Sequence, residues 1–199
     1  MVLKIVQVGE PVLRQKGREL SIEEIRSEKI QNLIHLMHST LRDAPGVGLA
    51  APQIGESLQL AIVEDLPEYS RLLTPEQVAE RERTPVSFHV IINPKLTPIG
   101  EPDVEFFEGC LSLNGFTAMV PRYRRVRVEC LDENARPKVI EASGWYARIL
   151  QHEIDHLNGT IYIDRMYPRT FMSIENGTRH WKDISSAEVK TRLGLKRTT

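Results

Sequence analysis

The sequence has few cysteines, no long apolar run and almost no net charge, and each of these absences excludes a class of protein. Two cysteines in 199 residues cannot form a disulfide framework, so we expect a reducing compartment. The sequence contains no stretch of 18 apolar residues, so it predicts no membrane span. Lys4 and Gln7 interrupt the only candidate for a signal-peptide core. A formal net charge of -1 argues against bulk or sequence-specific nucleic-acid binding.

Length and composition predict a single domain that spans residues 1–199. A hydrophobic fraction of 41% in 199 residues suits one sizeable core. An organellar presequence rich in arginine and serine is also lacking. We therefore expect a cytoplasmic protein of a bacterium, or a mitochondrial or plastid protein from which such a presequence has been removed.

The most informative segment contains two histidines four positions apart, with a glutamate beside the first. On a helix, His152 and His156 stand on the same face, so both rings can reach one metal ion. Glu153 is rotated by about 100° from His152, so its carboxylate can lie beside the metal and handle the proton of a bound water. The alternative is a surface helix with two solvated histidines.

The surrounding residues favour a buried helix. Ser143 offers an N-cap and Gly159 a left-handed C-cap, which bracket a helix of roughly fifteen residues. Its apolar residues lie on more than one face: Trp145, Ile149, Leu150, Ile154 and Leu157. Gln151 and Asp155 flank the histidines and could orient an imidazole, although Asp155 could equally pair with a nearby basic side chain such as Arg148.

A catalytic metal needs a third protein ligand from elsewhere in the chain. The other histidines have no ligand-like neighbourhood: His35, His38, His89 and His180. Cys110 follows Gly109, which lets the backbone approach closely, and a thiolate suits a borderline-soft divalent ion. Taken alone, however, Cys110 is better explained as a small buried apolar residue, as Cys130 is.

A glycine-rich segment at residues 46–55 changes this balance. It carries one amide side chain, Gln53, and lacks the Gly-Lys-Ser/Thr ending of a phosphate loop. Together with residues 108–112 and 151–156, it resembles the three signature motifs of the peptide deformylases, G-x-G-L-A-A-x-Q, E-G-C-L-S and Q-H-E-x-D-H, in the same order. The resemblance extends to about residue 171, so a C-terminal extension is expected from about residue 172.

The resemblance implies a role for each matching residue. The implied metal ligands are Cys110, His152 and His156. Glu153 would be the general acid/base, and the Gln53 amide and the backbone N–H of Leu111 would form the oxyanion hole. The substrate would contact residues that pair with its backbone or line a pocket for the methionine side chain: Val47, Gly48, Glu108, Gly109, Trp145 and Ile149.

The implied activity is metal-dependent hydrolysis of the N-formyl group from the initiator methionine of nascent polypeptides, which releases formate. The ligand set suits Fe²⁺, Zn²⁺, Ni²⁺ or Co²⁺, and the resemblance implies Fe²⁺ in the cell. Two other hypotheses stay open. A zincin-class metallopeptidase would need a downstream ligand, such as Glu175 or Glu188, and a non-catalytic metal-bound module would need neither Glu153 nor Gln53.

The sequence patterns predict an α+β fold with largely antiparallel β-sheets packed around the central metal-binding helix. Ser21 and Glu24 make a capping box before an amphipathic helix that we expect to run to about Asp43. Thr74 before Pro75 predicts a short helix to about residue 83. Strands are expected at residues 58–63, 88–93, 105–107, 118–120 and 124–131.

Two departures from the commonest bacterial pattern look more like the organellar-type branch of the family. Thr117 stands where many bacterial members carry an arginine, and residues 65–87 form a long insertion. Basic residues recur at 122–127, where we expect a solvated strand edge. The basic tail at residues 190–197 makes the ribosome a candidate partner, because related enzymes dock there through a C-terminal helix.

Overall fold

The computed structural model describes residues 1–71, 73–102 and 104–195. The α-helices are α1 (Ile22–Arg26), α2 (Glu28–Asp43), α3 (Pro75–Glu80), α4 (Gly144–Leu157), α5 (Ile174–His180) and α6 (Ser186–Arg192). The strands are β1 (Gly48–Ala50), β2 (Leu60–Asp65), β3 (Val86–Ile99), β4 (Val104–Cys110), β5 (Leu113–Arg122), β6 (Arg125–Leu131), β7 (Pro137–Ser143) and β8 (Met172–Ser173).

The strands form two antiparallel sheets, which confirms the predicted α+β class. One sheet has five strands in the order β1-β2-β3-β6-β7, and the other has three in the order β4-β5-β8. Strand β3 bends where its register with β6 shifts between Ile92 and Lys95, and Asn93 adopts a positive φ of 49° at the bend.

Helices α2 and α4 cover opposite faces of the five-stranded sheet. Alternate residues of a strand point to opposite faces, and this alternation divides the core in two. Leu60 and Ile62 of β2 pack with α2, whereas Ala61 and Val63 of the same strand pack with α4. The metal-binding helix predicted from sequence is therefore a buried element, as expected from its apolar faces.

Helix α4 ends as the sequence predicts and begins differently. Gly159 adopts φ +73°, and its N–H donates to the carbonyl of His156, so it terminates the helix in the left-handed conformation. Ser143 occupies the N-cap position, but its side chain makes no capping hydrogen bond.

The predicted N-terminal helix is interrupted. Ser21 and Glu24 form the expected capping box, but α1 ends at Arg26. Ser27 is extended (φ -67°, ψ 147°) and caps a second helix by accepting from the N–H of Ile30. The short helix after Thr74 is confirmed, and strand β7 was missed by the sequence patterns. No helix in the described part of the chain is long and apolar enough to cross a membrane.

Candidate active site

Three possible metal ligands from two separate elements converge beside α4. Cys110 is the last residue of β4, and His152 and His156 lie on α4. Their donor atoms all lie within 4.8 Å of one another, and Cys110 Sγ is 3.2 Å from His156 Nε2. Among the described residues, no other group of three metal-ligating side chains meets in this way.

The remaining histidines with described contacts are used elsewhere. His38 stacks on Phe88 and lies 3.1 Å from a carboxylate oxygen of Glu64. The Nε2 atom of His89 lies 2.9 Å from the hydroxyl of Tyr146, and burial lowers the pKa of His89. Neither ring belongs to the group of metal-ligating side chains that meets at Cys110.

Glu108 fixes the orientation of His152. Its Oε2 atom lies 3.0 Å from His152 Nδ1, which leaves the Nε2 side of the ring for a metal. Arg122 donates to both carboxylate oxygens at 2.9 Å, and Arg148 donates to Oε1 at 2.5 Å. Burial alone would raise the pKa of Glu108, but Arg122 and the other donors hold it well below its usual range.

This network changes the interpretation of three residues. The resemblance implied that Glu108 contacts substrate, but its carboxylate is only 5% exposed and is engaged with two arginines and His152. Arg122 was expected on a solvated edge and is instead 3% exposed. Arg148 was considered as a partner of Asp155 and instead pairs with Glu108. One weak signal of this buried network was visible in the sequence, namely the position of Arg148 within the apolar stretch of α4.

Asp155 pairs with basic side chains, as one of its two interpretations expected, but the partners are Arg122 and Arg165 and not Arg148. The other interpretation of Asp155 and the one for Gln151, that they orient an imidazole, are wrong. Asp155 binds Arg122 at 2.5 Å and Arg165 through two hydrogen bonds of 2.7 Å. Gln151 accepts from the N–H of Tyr123 at 3.0 Å and donates to its carbonyl at 2.8 Å. Among the described residues, neither side chain makes a hydrogen bond to an imidazole.

Glu153, which lies between His152 and His156 in the sequence, has a buried carboxylate. Its Oε2 atom is buried and has no hydrogen-bond partner among the described residues. Burial raises its pKa to about 7. A Cβ atom on Gly48 would lie 2.3 Å from Glu153 Oε1, so this carboxylate occupies the space above the glycine of β1. A carboxylate with an unsatisfied oxygen suits a proton acceptor.

Gln53 and the residues after Cys110 surround the sulfur atom. The Gln53 side chain is buried, accepts from the N–H of Ala50 at 2.8 Å and places its Nε2 atom 3.5 Å from Cys110 Sγ. The N–H of Ser112 also donates to Sγ, at 3.4 Å. Leu111 lies between them, and its carbonyl accepts from Gln7 Nε2 at 2.9 Å.

The residues expected to bind substrate lie on both sides of this centre. Gly109 is opposite Thr117 in the β4–β5 pair, and the Thr117 hydroxyl donates to the Glu108 carbonyl at 2.8 Å. The apolar group packs within one core cluster: Val47, Trp145 and Ile149. Trp145 and Ile149 share the helix face of His152 and His156, because the four positions follow the spacing i, i+4, i+7 and i+11.

The donor set and the unsatisfied Glu153 oxygen fit a divalent metal with a hydrolytic role. The polypeptide deformylase family model matches residues 2–171. This chain belongs to the peptide deformylase family. Its members are metal-dependent hydrolases that deformylate nascent peptides.

The relatives of this chain come from plants, bacteria and humans. The chain is 49% identical to peptide deformylase 1A, chloroplastic, of Solanum lycopersicum over 86% of this chain and 62% of that protein. It is 45% identical to the chloroplastic/mitochondrial peptide deformylase 1A of Arabidopsis thaliana over 96% of this chain and 69% of that protein. The chain thus spans less than two thirds of the length of the tomato protein and slightly more than two thirds of the length of the Arabidopsis protein.

Solved deformylases share the fold. The Met-Ala-Ser-bound class I type b enzyme from Acinetobacter baumannii has a TM-score of 0.74 at 30% identity, over 83% of this chain and 99% of that chain. The actinonin complex from Synechococcus elongatus has a TM-score of 0.69 at 36% identity, over 83% and 79% of the two chains. These similarities show the family and the fold.

Proposed function

We propose that this chain removes the N-formyl group from the initiator methionine of nascent polypeptides and releases formate. One observation carries the proposal: Cys110, His152 and His156 converge within 4.8 Å beside a buried Glu153 carboxylate that has an oxygen without a partner among the described residues. Binding a metal would not require Glu153. The arrangement therefore favours hydrolysis over a non-catalytic module.

We propose that one divalent metal is held by Cys110, His152 and His156. When bound, it would lower the pKa of water and polarise the formyl carbonyl. Fe²⁺ is the proposed ion in the cell, and Zn²⁺, Ni²⁺ or Co²⁺ would occupy the same ligands in a purified sample. Glu108 would strengthen the site by holding the His152 ring through its Nδ1 atom.

The protein groups would then move the protons and stabilise charge. Glu153 accepts a proton from the attacking water and passes it to the amine as the bond between the formyl carbon and the nitrogen breaks. The oxygen that becomes anionic accepts hydrogen bonds from the Gln53 amide and the Leu111 N–H. The products are formate and the protonated α-amino group of methionine, so atoms and charge balance with one water consumed.

Substrate binding follows the two sides of the site. We propose that the backbone at Gly48 and Gly109 pairs with the peptide backbone. Val47, Trp145 and Ile149 would line the methionine pocket, where an unbranched thioether packs on apolar and aromatic side chains.

The compartment would be one in which proteins start with formyl-methionine. We propose the cytoplasm of a bacterium, or a mitochondrion or plastid if a presequence precedes this chain. Relatives include bacterial, chloroplastic and mitochondrial deformylases. The ribosome stays a candidate partner. The Lys190 ammonium of α6 is already committed to Glu105 at 2.5 Å, and residues 196–197 of the basic tail lie outside the described residues.

Formate release from a formyl-methionyl tripeptide tests the proposal. The protein is prepared anaerobically with Fe²⁺, and Glu153→Ala is compared at equal metal content. We expect release by the parent protein and a loss of about 10²-fold or more in the variant, because a general acid/base contributes about 10²–10⁴. Stoichiometric metal without formate release would favour the binding module, and internal peptide cleavage without formate would favour the peptidase.

A further inference from the structure

A short strap from the long insertion crosses the first turn of α4. This 81–83 strap consists of Arg81, Glu82 and Arg83. A Cβ atom on Gly144, the first residue of α4, would lie 2.4 Å from Glu82 Cβ and 2.9 Å from the Arg81 carbonyl oxygen. Gly144 also has φ +59°, so only glycine allows this close approach.

Arg83 connects the strap to Trp145. Its guanidinium carbon lies 5.4 Å from the centre of the Trp145 ring, within the range of a cation–π interaction. The same guanidinium donates two hydrogen bonds to Asp65, at 2.9 and 2.8 Å. The side chains of Arg83 and Asp65 are only 11% and 2% exposed, so the fork is held in one orientation.

The other two strap residues also contact residues outside the strap. The Arg81 guanidinium lies 5.2 Å from the centre of the Phe106 ring in β4. Glu82 has a positive φ of 48° and accepts from Arg124 Nε at 2.6 Å. A non-glycine residue keeps such a backbone conformation only where its surroundings impose it. Each of the three strap residues is therefore anchored to a side chain outside the strap.

Trp145 connects the strap to the candidate active site. It lies on the same helix face as His152, about 10 Å from it along the axis of α4. Trp145 and Val47 both pack against the buried cluster that contains Ile149, and these three residues make up the proposed methionine pocket. A change in the orientation of the indole would therefore change the pocket and leave the metal ligands in place.

We propose that Arg83 is a positioning residue that fixes the Trp145 indole and thereby sets the side-chain selectivity of the pocket. This inference rests on the proposed function. Arg83 acts through Trp145 and touches no reacting atom. Its loss should relax the choice of the first residue of the peptide more than it slows the reaction.

The test compares Arg83→Gln and Arg83→Lys with Arg127→Gln, which removes an exposed arginine from β6. Steady-state kinetics use formyl-Met-Ala-Ser and formyl-Phe-Ala-Ser, with metal content measured for each protein. We expect Arg83→Gln to lower the ratio of kcat/KM for methionine over phenylalanine by about 10-fold, mainly through KM. Arg83→Lys should give an intermediate ratio, because it keeps the charge and loses the fork. Arg127→Gln should leave the ratio unchanged.

Trp145 fluorescence supplies a second readout in a Trp181→Phe background. Release of the indole should shift its emission to longer wavelength in Arg83→Gln. An unchanged substrate ratio would overturn the proposal, even if the variant unfolds at a lower temperature. If Arg83→Gln does not fold, Arg83→Lys and Asp65→Asn decide by the same ratio. Absence of formate release by the parent protein would contradict the proposed function. Trp145 emission that is the same in Arg83→Gln as in the parent would count against the Arg83 inference alone.

Discussion

Gly48 in β1 touches Glu153 in α4 so closely that no side chain fits between them. A Cβ atom on Gly48 would lie 2.3 Å from Oε1, 2.6 Å from Cδ and 2.8 Å from Cγ of Glu153. The contact joins the glycine-rich segment to the metal-binding helix. It explains why the first residue of β1 is a glycine, since glycine in a strand often marks a close approach of another group.

Gly48→Ala should displace the Glu153 carboxylate. We expect kcat for formate release to fall about 10²-fold with metal content unchanged, because a shift of about 1 Å in a catalytic group has this effect. Gly177→Ala is the matched control, since its Cβ would make an ordinary contact of 3.5 Å with Thr117. A Gly48→Ala protein with the kcat of the parent would show that Glu153 does not act from its present position.

Glu108→Gln should weaken the metal site and the fold together. The neutral amide no longer balances Arg122 and Arg148, both about 3% exposed, so the free energy of unfolding should drop by about 3 kcal/mol. Loss of the charged partner of His152 should weaken metal binding by about 10- to 100-fold. Competition with a chelator measures the affinity, and urea unfolding measures the stability.

The control for this variant is Glu141→Gln. Glu141 pairs with Arg127 on an exposed part of β7. The free energy of unfolding of the Glu141→Gln protein should therefore differ from that of the parent by no more than about 0.5 kcal/mol. Equal behaviour of the two variants would mean that the buried network around Glu108 neither holds His152 nor stabilises the fold.

Removal of the metal should lower the thermal unfolding midpoint. A ligand at 100 times its dissociation constant stabilises the native state by about 2.7 kcal/mol, so adding Zn²⁺ to the metal-free protein should raise the midpoint. Cys110→Ala should abolish most of this rise, whereas Cys130→Ala should keep it, because Cys130 lies in the core cluster away from the ligands. Calorimetry with and without Zn²⁺ checks both variants.

Glu64 should contribute stability that disappears in acid. Hydrogen bonds from Arg42 at 2.9 and 2.8 Å and from His38 lower the pKa of Glu64 below its ordinary value of 4.5. A lowered pKa stabilises the native state above the unfolded pKa, and this contribution is lost as pH falls through the lower native pKa. The difference in unfolding free energy between the parent and Glu64→Gln should therefore be constant near pH 7 and shrink below about pH 4.5. A difference that does not shrink as the pH falls below about 4.5 would contradict this assignment.

The local features of the candidate site could be predicted because they depend on short-range geometry. The spacing of His152 and His156 places both rings on one face wherever that segment is helical. Gly159 ends the helix because it can adopt a positive φ. By contrast, the break at Ser27 was missed, since a serine within a helical pattern caps a new helix only when tertiary packing turns the chain there.

The partners of the buried charges could not be predicted. Arg122 was expected to be solvated. Asp155 was expected to orient an imidazole or to pair with a basic side chain such as Arg148, and its actual partners, Arg122 and Arg165, were not foreseen. These assignments depend on the register of β4 with β5 and on the side of α4 that faces them. A one-residue change of register would turn Arg122 to the other face of the strand.

By itself, the sequence determined the family motifs, the metal-binding helix and the absence of a disulfide framework, because each depends on residue identity and spacing along the chain. Only the tertiary structure decided that Glu108 holds His152, that Gly48 makes room for Glu153 and that Arg83 lies over Trp145. These are contacts between elements 44, 105 and 62 positions apart. Such contacts form only when strand register and helix packing bring distant segments together, and burial then makes the pairing of each charge obligatory.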